Sequence, residues 1–185
     1  MIRITGGTLR GRKLKTLDGS CSRPTLSRVR EAIFNILGQT VRSVTFVDLF
    51  SGVGTMGIEA LSRGAEAAIF VEHDARCASI LSKNLETLGL GRRATVVIAD
   101  VSDWVRGPSW DADIVFVDPP YGLGLADGTL ELLGRSGDKR LDCVLVQHEP
   151  KLTLPQEAGI LRQVRSGRYG DTVVDVYEPA TVGAP

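Results

Sequence analysis

Two short segments of the chain combine residue types and spacings that suit chemistry. The first is Asp48-Leu49-Phe50-Ser51-Gly52-Val53-Gly54-Thr55-Met56-Gly57, in which residues 52–57 read G-x-G-x-x-G directly after an apolar run. Glycines at this spacing let a chain leave a strand, turn tightly and enter a helix while its backbone comes close to a ligand. Twenty residues beyond Gly52 stands an acid, Glu72, placed to accept hydrogen bonds from a ribose. The pattern serves a dinucleotide and S-adenosylmethionine equally well. Charge favours the second. A pyrophosphate wants backbone N–H groups with no carboxylate nearby. Here Asp48 stands at the mouth of the loop, where it attracts an ammonium or a sulfonium. The loop amides around Gly52 and Gly54 would then meet the methionyl carboxylate. No G-K-[S/T] follows, which excludes a nucleoside-triphosphate loop.

The second segment is Asp118-Pro119-Pro120-Tyr121-Gly122, which ends the apolar run Asp113–Val117. Two consecutive prolines cannot donate ladder hydrogen bonds, so the strand stops there and the loop is stiff. Its chemistry suits an exocyclic amine on a nucleobase. Such a nitrogen is a poor nucleophile because its lone pair is delocalised into the ring. The Asp118 carboxylate and the Pro119 carbonyl can accept its two hydrogens and let it become pyramidal, while Tyr121 stacks on the base. Methyl transfer then needs in-line placement, with the proton leaving after attack through Asp118.

These loops need strands to hold them. The strand candidates are Thr45–Phe50, Ala67–Glu72, Thr95–Ala99, Asp113–Val117 and Asp142–Gln147, with helical stretches at 56–63, 75–88 and 127–134 between them. The strands are continuous apolar runs, as expected when both faces are covered. The alternation predicts an α/β fold, a doubly wound parallel sheet that binds ligands at its carboxyl edge. Gly159–Arg165 and Thr172–Tyr177 are joined by six residues, too few for a crossover helix, so this pair is expected to be antiparallel. Before the first strand, Val29, Ile33, Phe34, Ile36 and Leu37 form one helical stripe capped by Gly38. Thr5-Gly6-Gly7-Thr8 reads as the turn of a small hairpin.

The 185 residues carry 22 basic and 22 acidic side chains and are 43% hydrophobic, a composition able to bury a core without staples. The balance hides an asymmetry. Residues 1–30 contain Arg3, Arg10, Arg12, Lys13, Lys15, Arg23, Arg28 and Arg30 against the single acid Asp18, leaving the rest of the chain with an acidic excess of seven. A basic arm on an acidic body is the footprint of a polyanion partner. No apolar run is long enough to span a bilayer, and the basic first fifteen residues lack the apolar stretch of a signal peptide. Cys21, Cys77 and Cys143 show no paired spacing and read as unpaired thiols, with no zinc site. His148, in Gln147-His148-Glu149-Pro150, stands at a strand's carboxyl edge within reach of a substrate. Trp104 and Trp110 read as core or rim packing.

Taken together, DLFSGVGTMGIEAL and DPPY resemble the class I S-adenosylmethionine-dependent methyltransferases that act on amino nitrogens. IRITGGTLRGRKLKT, RPTLSRVREAIFNIL, FVEHD and RYGDTVVDVY resemble, more narrowly, the bacterial small-subunit ribosomal RNA methyltransferase D family, along residues 2 to 178. The resemblance implies a Rossmann-like class I fold with a seven-stranded, mostly parallel sheet and an antiparallel C-terminal hairpin. It implies methylation of a guanine N2 amine at the position numbered 966 in 16S rRNA, yielding S-adenosylhomocysteine without a metal. By the same resemblance, Asp48, Phe50, Gly52 and Gly54 line the methionyl end of the donor. Glu72 binds the ribose with His73 beside the adenine, Asp100 and Val101 contact the adenine, and Asp118, Pro119, Pro120 and Tyr121 hold the guanine. The hairpin residues Arg3, Arg10, Arg12, Lys13 and Lys15, with Arg23 and Arg28, engage RNA. One departure is Gly122-Leu123-Gly124-Leu125, which carries no aromatic or basic residue to grip the base.

The expected organisation is one α/β domain over 39–180, an RNA-contacting basic hairpin-plus-helix extension over 1–38 and a frayed tail over 181–185. The expected setting is a cytoplasmic monomer acting on small-subunit ribosomal RNA, presented in a ribonucleoprotein particle. Three rivals stand beside this reading: an adenine-N6 methyltransferase of RNA or DNA, a nicotinamide dehydrogenase that leaves DPPY unexplained, and a non-catalytic RNA-binding assembly factor.

Overall fold

Apolar runs without alternation form the centre of the molecule. In the computed structural model, which describes residues 2–16, 27–107, 110–136 and 140–180, five strands pair in parallel. They are β3 (Thr45–Leu49), β4 (Ala67–Glu72), β5 (Ala94–Ile98), β6 (Ile114–Val117) and β7 (Cys143–His148), in the spatial order β5-β4-β3-β6-β7. Both faces are covered. Phe46, Phe70, Phe116 and Leu145 join a cluster with α1 (Ser27–Leu37), α2 (Thr55–Arg63) and α3 (Ala75–Leu88). Val47, Leu49, Val115, Val117, Val144 and Val146 join a second cluster with α4 (Val101–Arg106) and α5 (Leu125–Gly134). This two-sided burial is why each strand reads as a continuous apolar run. The stacked Trp104 and Trp110 close the second layer, their rings 5.4 Å apart.

The five predicted strands and three predicted helices all form, with ends shifted by two residues at most. Helix α4 was not expected, because six residues are too few to display a helical period. Its start is set by Asp100, whose carboxylate accepts from the Ser102 and Asp103 amides.

The C-terminal pair is antiparallel, as its short connection requires. β10 (Val173–Pro179) lies between β7 and β9 (Leu161–Arg168), antiparallel to both. A two-residue strand, β8 (Glu157–Ala158), extends the edge, so the sheet holds eight strands among the described residues where seven were expected. Two residues leave no periodic trace in a sequence.

The N-terminal hairpin pairs β1 (Ile2–Arg3) with β2 (Lys13–Leu14), across a longer connection than the Thr5–Thr8 turn predicted. Ile2, Ile4 and Leu14 are buried in the same cluster as Ile33, Phe34 and Leu61. Gly7, at φ +75°, lies so close to α2 that a Cβ there would stand 1.9 Å from the Ser62 carbonyl oxygen. The contact is sealed by polar groups. Glu59 of α2 is fully buried and accepts from the Thr5 amide and hydroxyl, from Arg30 Nε at 3.1 Å and from Arg63 Nε at 2.9 Å.

Cys143 is unpaired, its thiol pushed up to about 12 by burial. Among the described residues, no helix is long and apolar enough to cross a membrane. Arg23, Cys21 and the tail 181–185 lie outside the described residues.

Candidate active site

β3 ends at Leu49, and the chain turns sharply through Phe50. Its φ of +62° is a left-handed conformation that costs a non-glycine residue about 1–3 kcal/mol. The turn is held by the Ser51 amide on the Val71 carbonyl at 3.0 Å and the Gly54 amide on the Ser51 carbonyl at 2.8 Å. Gly54, at φ +86°, packs so tightly that a Cβ would sit 2.2 Å from a Leu81 methyl. At Gly57 a Cβ would sit 2.3 Å from the Phe70 ring. The last glycine of the motif therefore lets α2 lie close against β4.

Three carboxylates gather at this edge. Asp48 is buried, with Oδ2 accepting the Gly57 amide at 2.9 Å. Burial is the main cause holding its carboxyl well above the usual range; the negative charges of Asp118 and Glu72 add to it, while the Gly57 bond opposes it. Glu72 ends β4 and bridges two loops, accepting the Gly52 amide at 2.7 Å through one oxygen and the Asp74 amide at 2.8 Å through the other. A carboxylate oxygen accepts through two lone pairs, so Glu72 keeps capacity for further donors. His73 is exposed, with Nδ1 3.2 Å from Glu72. Asp100 caps α4; its bonds to the Ser102 hydroxyl and amide hold its carboxyl below the usual range, and the nearby His73 contributes in the same direction. Val101 is buried beneath it.

These residues fit S-adenosylmethionine better than a dinucleotide. Asp48, Glu72 and Asp118 would all repel a pyrophosphate, and a positive group beside Asp48 would relieve the carboxyl that burial has raised. One expected detail changes. The Gly52 and Gly54 amides are already engaged, by Glu72 and by the Ser51 carbonyl, so they do not present themselves to a methionyl carboxylate. The Ser51 hydroxyl oxygen, in contrast, is buried without a hydrogen-bond partner among the described residues.

On the other side of β3, the Asp118-Pro119-Pro120-Tyr121 loop leaves β6. Asp118 is half-buried, Pro119 buried and Pro120 exposed. Tyr121 is 37% exposed, which leaves ring surface accessible, while its hydroxyl lies 3.3 Å from the Thr172 hydroxyl. The Gly122 amide donates to the Glu149 carboxylate at 3.1 Å. A cleft between this loop and the end of β7 is lined by Pro119, Pro120, Tyr121, Gln147, His148 and Glu149.

The arm residues Arg3, Arg10, Arg12, Lys13, Lys15 and Arg28 are all exposed. Arg30 belongs to a different class, buried against Glu59. The arm also meets the glycine loop. Asn84 of α3 accepts from the Lys15 amide at 2.8 Å and donates to the Lys15 and Val53 carbonyls, each at 3.1 Å.

The structure thus brings Asp48, Glu72 and Asp118 together, sets His73 near Asp100, and places the exposed basic residues on the N-terminal hairpin and at the start of α1. Sequence reasoning missed the partners of the target loop, Glu149 and Thr172, and the Asn84 clasp. It also missed Asp175, whose position in the apolar run Val173–Tyr177 was a usable signal, because a carboxylate inside a central strand demands a partner. His148, which the sequence places at a strand's carboxyl edge, is 2% exposed and bonded to Asp175, on the wall of the cleft beside the target loop. Among the described residues, no group of three or more His, Cys, Asp or Glu side chains is placed to hold a metal ion.

Comparison with known proteins fits this geometry. The family described as "Conserved hypothetical protein 95" matches residues 2–178. The "Ribosomal RNA small subunit methyltransferase D" of Escherichia coli K12 is 43% identical over 136 residues, covering 74% of this chain and 68% of that protein. The solved structure of the Escherichia coli protein yhhF superposes with a TM-score of 0.85 at 36% identity, covering 96% of this chain and 97% of that one. An RNA methyltransferase from Salinibacter ruber, solved with S-adenosyl-L-homocysteine, shares the fold at a TM-score of 0.65 and 16% identity, over 88% of this chain and 98% of that one. With a class I methyltransferase fold and matches along nearly its whole length, the chain belongs to the conserved hypothetical protein 95 family and, within it, to the small-subunit ribosomal RNA methyltransferase D proteins.

Proposed function

We propose that the chain methylates the exocyclic N2 amine of a guanine in small-subunit ribosomal RNA, of the position-966 type, using S-adenosylmethionine. The observation that carries this reading is the placement of the Asp118-Pro119-Pro120-Tyr121 loop beside Asp48 and Glu72, at one edge of one sheet.

S-adenosylmethionine supplies an electrophilic methyl group. Asp48 and the Phe50–Gly54 turn hold its methionyl end, the glycines giving close backbone approach rather than amide donors. Glu72 accepts from the ribose, and His73, Asp100 and Val101 border the adenine. The target base leaves its stack to reach the loop, and Tyr121 supports its face. The Asp118 carboxylate and the Pro119 carbonyl accept the two amine hydrogens, which frees the nitrogen lone pair for attack. After attack, the surplus proton leaves through Asp118. Residues 1–38 form the RNA-contacting extension of the 39–180 domain. Their exposed arginines and lysines contact phosphates, which predicts steep salt dependence without base choice. The setting is a cytoplasmic monomer acting on a small-subunit particle.

The test is to incubate the protein with tritiated S-adenosylmethionine and unmodified small-subunit particles, then digest the RNA and identify the labelled nucleoside. N2-methylguanosine is expected. Label in N6-methyladenosine overturns the choice of base, and absence of both label and donor binding overturns the enzymatic reading.

A further inference from the structure

Two buried ionisable groups stand beside the target loop and take no part in the chemistry above. His148 ends β7 and Asp175 lies in β10, at 2% and 3% exposure. The register pairs His148 with Val173, which puts Asp175 two residues on, on the same face as the histidine. Nε2 of His148 is 3.1 Å from Oδ2 of Asp175, and Nδ1 is 2.9 Å from the main-chain carbonyl oxygen of Glu149. A carbonyl oxygen only accepts, so Nδ1 carries a hydrogen. Nε2 faces a carboxylate, and a hydrogen there completes an imidazolium bonded at both ends.

From this pair, the neighbouring residues lead to the target loop on two sides. Glu149, whose carbonyl the ring holds, turns its carboxylate to the Gly122 amide. Thr172, just before β10, meets the Tyr121 hydroxyl. Tyr121 and Gly122 are thus gripped by residues that the histidine–aspartate pair ties together across two strands.

We propose that the buried His148–Asp175 pair is a positioning device for the methyl acceptor: it locks the end of β7 to β10, so that Glu149 and Thr172 hold the Tyr121-Gly122 turn and, through it, the Asp118 and Pro119 acceptors. His148 is a positioning residue, since both ring nitrogens are used within the protein. The inference rests on the proposed function only for the identity of the amine.

Charge agrees with the geometry. Burial alone would push the histidine down. The Asp175 bond, the Glu149 carbonyl and the negative charges of Asp175 and Glu149 outweigh it, and the ring sits above the ordinary 6.5. For Asp175, burial pushes up, and the His148 bond, with Ser166 and Gln163 of β9 facing it, brings the carboxyl below its ordinary value. The clamp is therefore complete below the ordinary histidine value and lost as pH climbs through the raised one. On the acid side it is lost as pH falls through the lowered carboxyl value.

The test uses the full chain. Long-range proton–nitrogen spectra at pH 6, below the ordinary histidine value, are expected to show both His148 nitrogens protonated. Single-turnover methylation is expected to fall on the alkaline side as His148 titrates. His148→Ala is expected to slow methylation by ~10- to ~100-fold, as for a displaced reacting group, with donor binding unchanged and faster Gly122 amide exchange. Asp175→Asn supplies an N–H to a neutral Nε2, so it is expected to keep the rate at pH 7 within a few-fold and to abolish the alkaline step. A singly protonated ring in the wild type, a wild-type rate in folded His148→Ala, or an unchanged alkaline step in Asp175→Asn each overturns the proposal. Should His148→Ala not fold, the wild-type spectrum and Asp175→Asn still decide. If wild-type protein methylates nothing, the proposed function fails, and ring protonation with Gly122 exchange still judges the clamp.

Discussion

The two halves of the sheet edge are built differently. On the donor side, each carboxylate is satisfied by main-chain amides of nearby turns: Asp48 by Gly57, Glu72 by Gly52 and Asp74, Asp100 by Ser102 and Asp103. Most of these partners are close in sequence, and the motif spacing encodes them. On the acceptor side, the Tyr121-Gly122 turn depends on side chains far along the chain, Thr172 and Glu149, organised by the buried His148–Asp175 pair. The donor half is therefore made from local backbone, stiff by virtue of its own turns. The acceptor half is an assembly of distant strands, open to adjustment without touching the donor.

The sharpest way to break this comparison is Asp118→Ala. Turnover is expected to fall by ~100-fold or more, as for a lost acid–base group, with donor and RNA affinity nearly intact; equal loss of rate and binding would remove the catalytic assignment. Next is Glu72→Gln, which turns an amide N–H toward one of the two main-chain N–H groups that Glu72 now accepts. An unsatisfied buried donor costs about 1–3 kcal/mol, and the expected result by calorimetry is ~10-fold weaker donor binding with RNA binding unchanged. Gly57→Ala pushes a methyl into the Phe70 ring, and overpacking of this kind costs about 1–3 kcal/mol. A lower denaturation midpoint is expected, and an unchanged one would show that α2 can slide. Smallest is Tyr121→Phe, which deletes a long hydroxyl contact worth about 0.5–1.5 kcal/mol. The expected change is a few-fold rise in KM for RNA at constant donor affinity, and a larger fall in turnover would give the hydroxyl a role in the reaction.

What was legible in the sequence follows the same division. The five central strands, the glycine turn and Glu72 could be read because parallel strands buried on both faces leave continuous apolar runs, and because a turn's requirements lie within a few residues. Helix α4 and strand β8 are too short to carry a period. The Asn84 clasp could not be read, since an asparagine inside a helix looks the same whether it faces water or joins two loops. Asp175 was visible as an oddity, a charge within Val173–Tyr177, but its partner became definite only when antiparallel pairing set β10 beside β7. The engagement of the Gly52 and Gly54 amides was likewise hidden: a motif names the residues of a turn without saying which of its donors are spent inside it.

Glu59 has a consequence for how the molecule can be taken apart. Its carboxylate receives Thr5 from the hairpin, Arg30 from α1 and Arg63 from its own helix. A chain trimmed of the hairpin and α1 would leave this acid with Arg63 alone of those partners, and taking members out of a buried ion-pair network destabilises strongly. Truncation would thus report on folding before it reported on RNA. The function of the arm is better dissected one exposed arginine at a time, with the acid and its partners left in place.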